Sequence, residues 1–269
     1  MLWLRKKRPQ AIRTDPGERV YVIGDVHGRY DLLMNLLKKI LSQLSNEENF
    51  TKKARLIFLG DIIDRGPESL KCLSTVATLT GDNGAEVLRG NHEDLMLKTI
   101  NGDDHARSMW FNNGGLATIN SLNLPPPLDW EDGLDFGERL RDAVPDPIYK
   151  MLTEAPTSLR SGDYMFVHAG VRPGIALDRQ DDLDLFFIRK KFTNSTDWHG
   201  AMIVHGHTIV REVEFHTNRI AIDTGAFKSG KLSCLVLEDD ERHILTSDYL
   251  PSSHQSQAPN QHSAGRNEI

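Results

Sequence analysis

Cysteine is almost missing: Cys72 and Cys234 are the only two in 269 residues. A disulfide framework and every cysteine-based metal or redox spacing are thereby excluded, and a reduced, cytoplasmic chain is expected. Long apolar runs are missing too. None approaches the ~18 residues a membrane helix needs. Leu2-Trp3-Leu4 stands before Arg5-Lys6-Lys7-Arg8, the reverse of signal-peptide order, so neither a span nor a secretion signal is expected. Excess positive charge is absent as well, since 32 Lys and Arg face 38 Asp and Glu for a net charge of −6. Such a chain has no general electrostatic reason to coat nucleic acid or an anionic membrane, and neither is expected as a partner. What remains is 39% apolar and 26% charged, enough to bury a core without staples, and a monomer or weak oligomer is expected.

The charge is uneven. Residues 1–20 hold six basic and two acidic side chains, so 1–18 reads as a basic N-terminal arm. Residues 251–269 contain only Ala258, Ala264 and Ile269 as apolar side chains, too few to offset ordering, and read as a disordered tail. Between them, 19–250 reads as one domain. Residues 19–23 form a β-rich run, followed by Leu32, Leu33, Leu36, Leu37, Ile40, Leu41 and Leu44 at helical spacing. The unit recurs at 55–59 with a helix opening at Pro67, and at 86–88 with a helix from about Glu93. Beyond residue 201 the helical signal fades, and 211–215, 219–222, 232–237 and 243–247 read as hairpin-linked strands. The fold expected is an α/β, mixed-sheet β-sandwich flanked by helices. Residues 101–150, with Pro125-Pro126-Pro127, read as a cap insertion. Its acidic part, 120–138, is expected beside the functional cleft, with Trp110 and Trp130 packing the cap.

Polar residues stand where the strands stop. The first runs into Gly24-Asp25-Val26-His27-Gly28, the second into Gly60-Asp61-Ile62-Ile63-Asp64-Arg65-Gly66 and the third into Gly90-Asn91-His92-Glu93. Two later runs end in His168-Ala169-Gly170 and His205-Gly206-His207-Thr208. Carboxyl ends of strands are where loops converge in α/β layers. In an extended segment Asp25 and His27, at i and i+2, face one way and form a chelating pair. Together the strand ends offer two aspartates, an asparagine and three histidines, a thiolate-free set suited to Mn, Fe, Ni or Zn rather than Ca, Mg or Cu(I). Six protein ligands imply two divalent ions sharing one carboxylate.

These five motifs, in this order, resemble the calcineurin-like metallophosphoesterases and, within them, the bacterial branch of the serine/threonine phosphoprotein phosphatases. Trp110 with Asn113-Gly114-Gly115, Phe187-Ile188-Arg189, and Ile222-Asp223-Thr224-Gly225-Ala226 look like that branch too. The resemblance covers roughly residues 20–237. It implies that Asp25, His27 and Asp61 hold one metal and that Asp61, Asn91, His168 and His207 hold the second. Manganese is the foremost expectation. It implies hydroxide activated by the metals as nucleophile, His92 as general acid oriented by Asp64, and Arg65, Arg89 and Arg189 as phosphate clamps. His205 is assigned behind the ligands, Glu93 to the start of its helix, and Asp223 to loop structure.

The activity this implies is hydrolysis of phosphoserine or phosphothreonine in a phosphoprotein substrate. Dinucleoside polyphosphate cleavage is the alternative. The symmetrical dinucleoside-tetraphosphate hydrolases, however, typically carry alanine where Asp64 stands and aspartate where Glu93 stands. A catalytically dead scaffold is the third reading; such chains lose a ligand or the acid histidine, and none is missing here.

Overall fold

Val20 and Val22 face one side of the first strand and Tyr21 and Ile23 the other, and all four are buried. A strand covered on both faces must sit inside a layered structure. The computed structural model describes residues 8–46, 52–82, 84–128 and 131–247. Its elements run β1 (Glu18–Ile23), α1 (Tyr30–Asn46), β2 (Lys53–Phe58), α2 (Ser69–Asp82), β3 (Glu86–Val87) and α3 (Asn91–Ile100). Four helices follow, α4 (Asp104–Asn112), α5 (Gly115–Ser121), α6 (Gly133–Ala143) and α7 (Asp146–Glu154). Next come β4 (Ser158–Ser161), β5 (Tyr164–Val167), α8 (Asp182–Phe187), α9 (Lys190–Thr193) and β6 (Met202–His205). The described chain closes with β7 (Glu214–Phe215), β8 (Arg219–Ala221), α10 (Ala226–Ser229), β9 (Ser233–Glu238) and β10 (Glu241–Thr246).

Two five-stranded sheets result, in the orders β10-β9-β1-β2-β3 and β4-β5-β6-β8-β7. In the first sheet β1-β2-β3 are parallel and run to one edge, with the antiparallel β9 and β10 on the other side; in the second a parallel centre, β5-β6-β8, has the antiparallel β4 and β7 at its margins. Val20, Val22, Ile57 and Leu59 from one sheet meet Tyr164, Phe166, Met202, Val204 and Ile220 from the other in a shared core. The opposite face of the first sheet packs Tyr21, Ile23 and Phe58 against the apolar stripe of α1 and the helices that follow. The expected sandwich is thus the observed fold. Among the described residues no helix is long and apolar enough to cross a membrane.

Several boundaries differ from the sequence reading. The helix expected at Pro67 begins at Ser69, the strand expected over 211–215 is only Glu214–Phe215, and β4 was not anticipated. Short edge strands carry too few residues for alternation to register. The segment read as a cap is helical, and Trp110, Ile119, Phe136, Leu140 and Ile148 join the main core. Within it Glu131 is buried against Arg139 and Asp132 caps α6, so these two acids have structural partners. Ile12, in the segment read as a basic arm, is buried in the core between the sheets. Residues 1–7, Asp129, Trp130 and the 251–269 tail lie outside the described residues.

The parallel strands deliver their carboxyl ends to one edge of the sandwich, and the loops there touch. Gly66 N donates to His27 O at 3.1 Å, and a Cβ on Gly66 would lie 2.2 Å from that same oxygen. Gly66→Ala must therefore push the first loop off the second, and should lower both thermal stability and any catalysis these loops support. Gly81→Ala, in α2 with nothing within 4 Å, should be neutral or stabilising by up to about 1 kcal/mol. Thermal melts and rates of the two variants side by side check this.

Candidate metal and phosphoryl site

Seven non-glycine residues among those described have positive φ, and five of them, His27, Asp61, Asp64, Arg65 and His207, lie in these loops. Left-handed backbone costs a residue with a Cβ about 1 kcal/mol or more, so surrounding contacts must hold it. Glu93 supplies many of them. Its buried carboxylate accepts from Asp61 N (2.8 Å), Ile62 N (2.7 Å), Ile63 N (3.2 Å) and Gly90 N (3.0 Å). One side chain therefore does what was expected at the start of α3 and also clamps the second loop to the third. Burial and the nearby Asp61 carboxylate push its pKa up to about 7.

Asp61 sits at the centre. Its Oδ2 is 3.7 Å from both His27 Nε2 and His92 Nε2, and its Oδ1 is 3.4 Å from His168 Nε2. Burial alone would raise its pKa, but His168, His92, His27 and His207 outweigh that and hold it below the ordinary carboxylate range. Imidazole tautomers follow from the outer partners, because a carbonyl only accepts. His27 Nδ1 donates to Ile63 O (2.8 Å) and His168 Nδ1 to Leu59 O (2.9 Å), which turns each Nε2 lone pair inward. Asn91 Oδ1 lies 3.0 Å from His168 Nε2.

Two groups of ligand atoms, each within 4.8 Å of one another, are present: His27, Asp61 and His92, and Asp61, His168 and His207. Asp61 belongs to both. His207 Nε2 and Asp25 Oδ1 are buried without a hydrogen-bond partner, a state that a bound cation would relieve. This donor set fits divalent ions. Asp25 belongs to neither group: its Oδ2 accepts from His207 N at 3.0 Å, and burial, Asp223 and Asp61 raise its pKa well above normal. Asp223, read as loop structure, accepts from Gly225 N, and burial lifts it to about 6.

His92 Nδ1 donates to Asp64 Oδ2 at 2.5 Å, the pairing expected. Burial would lower the His92 pKa, yet Asp61 and Asp64 together raise it, so this imidazole holds a proton more readily than its neighbours. Two further donors on Asp64 were missed: Trp110 Nε1 at 2.8 Å on Oδ2 and Thr118 Oγ1 at 2.5 Å on Oδ1. The Trp110-Asn113-Gly114-Gly115 signature is visible in the sequence, but the packing expected of the indole does not reveal its acceptor.

The three arginines part company. Arg65 Nη1 donates to His27 Nε2 (2.7 Å) and Nη2 to His92 Nε2 (3.0 Å), while its Cζ stands 4.7 Å over the Phe227 ring. Phe227, which the sequence did not single out, also meets the His27 ring edge-on at 5.3 Å. Arg189 reaches the same edge, donating from Nη1 to His207 O at 3.3 Å. Arg89 does not join them: its Nη2 donates to Thr153 O at the end of α7.

A sandwich of two mixed sheets carrying a buried Asp-His-Asn cluster at its strand ends defines a metallophosphoesterase. The chain belongs to the calcineurin-like phosphoesterases, whose family model matches residues 18–222. That family hydrolyses phosphoesters with divalent metal ions. Among its relatives is the asymmetrical bis(5'-nucleosyl)-tetraphosphatase PrpE of Anoxybacillus flavithermus, 29% identical over 231 residues, covering 80% of this chain and 88% of that one. Serine/threonine-protein phosphatase 2 of Salmonella typhimurium is also 29% identical, over 235 residues, covering 82% and 94%. A solved protein serine/threonine phosphatase from Saccharomyces cerevisiae shares the fold at a TM-score of 0.56 and 17% identity, covering 89% and 82%. So does a candidate diadenosine tetraphosphatase, at 0.60 and 19%, covering 88% and 97%.

His205 lies behind the ligands, as expected. Its Nδ1 donates to Gly206 O, its ring packs against Phe192, and burial pulls its pKa down to about 3. A histidine with a depressed folded pKa binds its proton only on unfolding, so stability is complete above about pH 6.5 and falls as pH drops below it. The loss is about 1.4 kcal/mol per pH unit. His205→Gln should remove one such proton from the slope, measured by urea unfolding between pH 5 and 6.5. An unchanged slope would show that this ring is already protonated in the fold.

Proposed function

We propose that the chain removes phosphate from phosphoserine and phosphothreonine in proteins. The observation that supports this reading is the Asp64–His92 pair. An alkoxide is a poor leaving group that needs a proton as its bond to phosphorus breaks, and an imidazole held by a buried carboxylate is suited to give one. Asp25, His27, Asp61, Asn91, His168 and His207 would hold two divalent ions, manganese foremost, with iron, zinc or nickel as the other fits. When bound, such ions lower the pKa of the attacking water and neutralise charge on the phosphoryl oxygens.

The chain's own residues supply the rest. Arg65, anchored over Phe227, would turn its fork from the two imidazoles to the phosphate oxygens, and Arg189 would approach from the His207 side. Arg89 could join only by leaving Thr153 O, so we assign the clamp first to Arg65 and Arg189. With its Nδ1–H hydrogen-bonded to Asp64, His92 would present Nε2–H to the leaving oxygen.

A second reading is supported by the PrpE relatives, whose name gives them dinucleoside tetraphosphates as substrates. Asp64 and Glu93 set the chain apart from the symmetrical hydrolases but not from asymmetrical ones. The two readings part on the leaving group, because a nucleotide phosphate departs readily without a protein acid. We expect a higher kcat/KM for a phosphoserine protein than for diadenosine tetraphosphate with manganese, and a steep loss in Asp64→Asn on the former only. A wide preference for the dinucleotide over every phosphoprotein tried would overturn the first reading in favour of the second.

Removal of metal tests the shared chemistry. Chelation should abolish turnover on either substrate and manganese should restore it, while Asp61→Asn should bind metal weakly and lose at least about 10²-fold in kcat, because one carboxylate serves both donor groups. Undiminished turnover by chelated enzyme, with metal absence checked by elemental analysis, would sink the two-metal reading.

A further inference from the structure

Asp64 is more heavily bound than a carboxylate that merely pairs with a histidine. Its Oδ2 takes Trp110 Nε1 beside His92 Nδ1, and its Oδ1 takes Thr118 Oγ1. Its backbone N–H points to Thr118 Oγ1 and Ser69 Oγ, both at 3.0 Å, and those two hydroxyls lie 3.0 Å apart. The residue is fully buried and left-handed, with φ 74°, so both ends of Asp64 are fixed by the same threonine. Trp110 is placed from the other side. Its indole lies so close over Gly115 that a Cβ there would fall 2.7 Å from the ring, and the adjoining Gly114 carbonyl accepts from Arg65 N.

We propose that Trp110 and Thr118 are positioning residues for protonation of the leaving group, acting through Asp64 on His92. They do not touch the phosphate. A carboxylate can rotate about its Cβ–Cγ bond, and a rotated Asp64 would offer His92 Nδ1 a bent or absent acceptor. The indole N–H and the threonine O–H fix that plane, one per oxygen. The proton on His92 Nδ1 then stays on that nitrogen, hydrogen-bonded to Asp64, and Nε2 is the atom left to carry the transferable proton. Ser69 holds the threonine hydroxyl. Helices α4 and α5, which carry Trp110 and Thr118, are thus part of the proton-donating apparatus, a function separate from their share of the core.

This inference rests on His92 being the proton donor, and the experiment separates the two claims. Thr118→Val keeps the shape and removes the hydroxyl, while Thr118→Ser keeps the hydroxyl and removes a methyl. With the metal-loaded full chain we expect Thr118→Val to lose at least about tenfold in kcat on a phosphoserine peptide. Its KM should move less than about twofold, and its loss on 4-nitrophenyl phosphate, whose leaving group needs little help, should be several-fold smaller. Thr118→Ser should stay within about twofold of wild type on both. Trp110→Phe should show the same leaving-group bias even if its stability falls, since lost packing would lower both rates equally. His92→Asn run in parallel sets the reference. If it shows the bias and neither Thr118→Val nor Trp110→Phe does, this inference is overturned and the proton-donor reading stands. If His92→Asn shows no bias, both fall together. Equal damage from Thr118→Ser and Thr118→Val would also overturn it.

Discussion

Asp61 is a carboxylate buried among imidazoles, and the rest of the site is arranged around keeping it there as an anion. An unpaired buried carboxylate would neutralise itself by taking a proton. Here the opposite holds, because His27, His92, His168 and His207 surround it and its Oδ1 also accepts from His92 N. The loop that carries it is held by Glu93, which satisfies three successive backbone N–H groups of that loop and the Gly90 N–H of the next. A side chain three residues into α3 therefore determines where a ligand on another strand points. Since Asp61 belongs to both donor groups, its placement also sets how the two are spaced.

Such a cluster is costly to a fold. Five left-handed residues, several neutral buried histidines and the Asp25 and Asp223 carboxyls pressed together all oppose folding. The sandwich behind them is built from residues that ask for nothing polar: the strands feeding the loops are buried on both faces by Val, Ile, Leu, Phe and Met. Fastenings between the sheets lie at the same edge, where His168 donates to Leu59 O and His207 N donates to Asp25. The residues expected to hold metal are thus also the ones that join the two halves.

Much of this was legible because strand-end motifs are local. Asp25, His27, Asp61, Asn91, His92, His168 and His207 each follow a short apolar run, and a side chain's place at the end of a strand can be read from its neighbours alone. The sandwich was legible for the same reason. What escaped reading was held by distance in sequence. Trp110 and Thr118 bind a residue 46 and 54 positions away, and Glu93 binds backbone about 31 away. A tryptophan in a helical stretch has core packing as its default, and no periodicity announces that its N–H has an acceptor. Arg89 shows the converse: it stands beside a strand-end motif, yet the α7 carbonyl it meets is 64 residues on.

The relatives divide between phosphoproteins and dinucleotides, and the physics places that division on one side of the site. On the proposed reading the residues around Asp61 would serve the phosphoryl group itself, a terminal dianion with three non-bridging oxygens in a phosphomonoester and an internal monoanion with two in a dinucleoside polyphosphate, and both would call on cations and an activated water. The larger difference is the departing oxygen, an alkoxide in one and a nucleotide phosphate in the other, and the Asp64–His92 pair with its Trp110 and Thr118 partners is the part proposed to respond to it. A metal cluster can therefore be kept while substrate class changes, provided the change falls in the apparatus that handles the leaving group. In this chain Asp64 is buried and bound at both carboxylate oxygens, and if His92 is the acid we propose, holding it so firmly has value mainly where the leaving group would otherwise depart as an alkoxide.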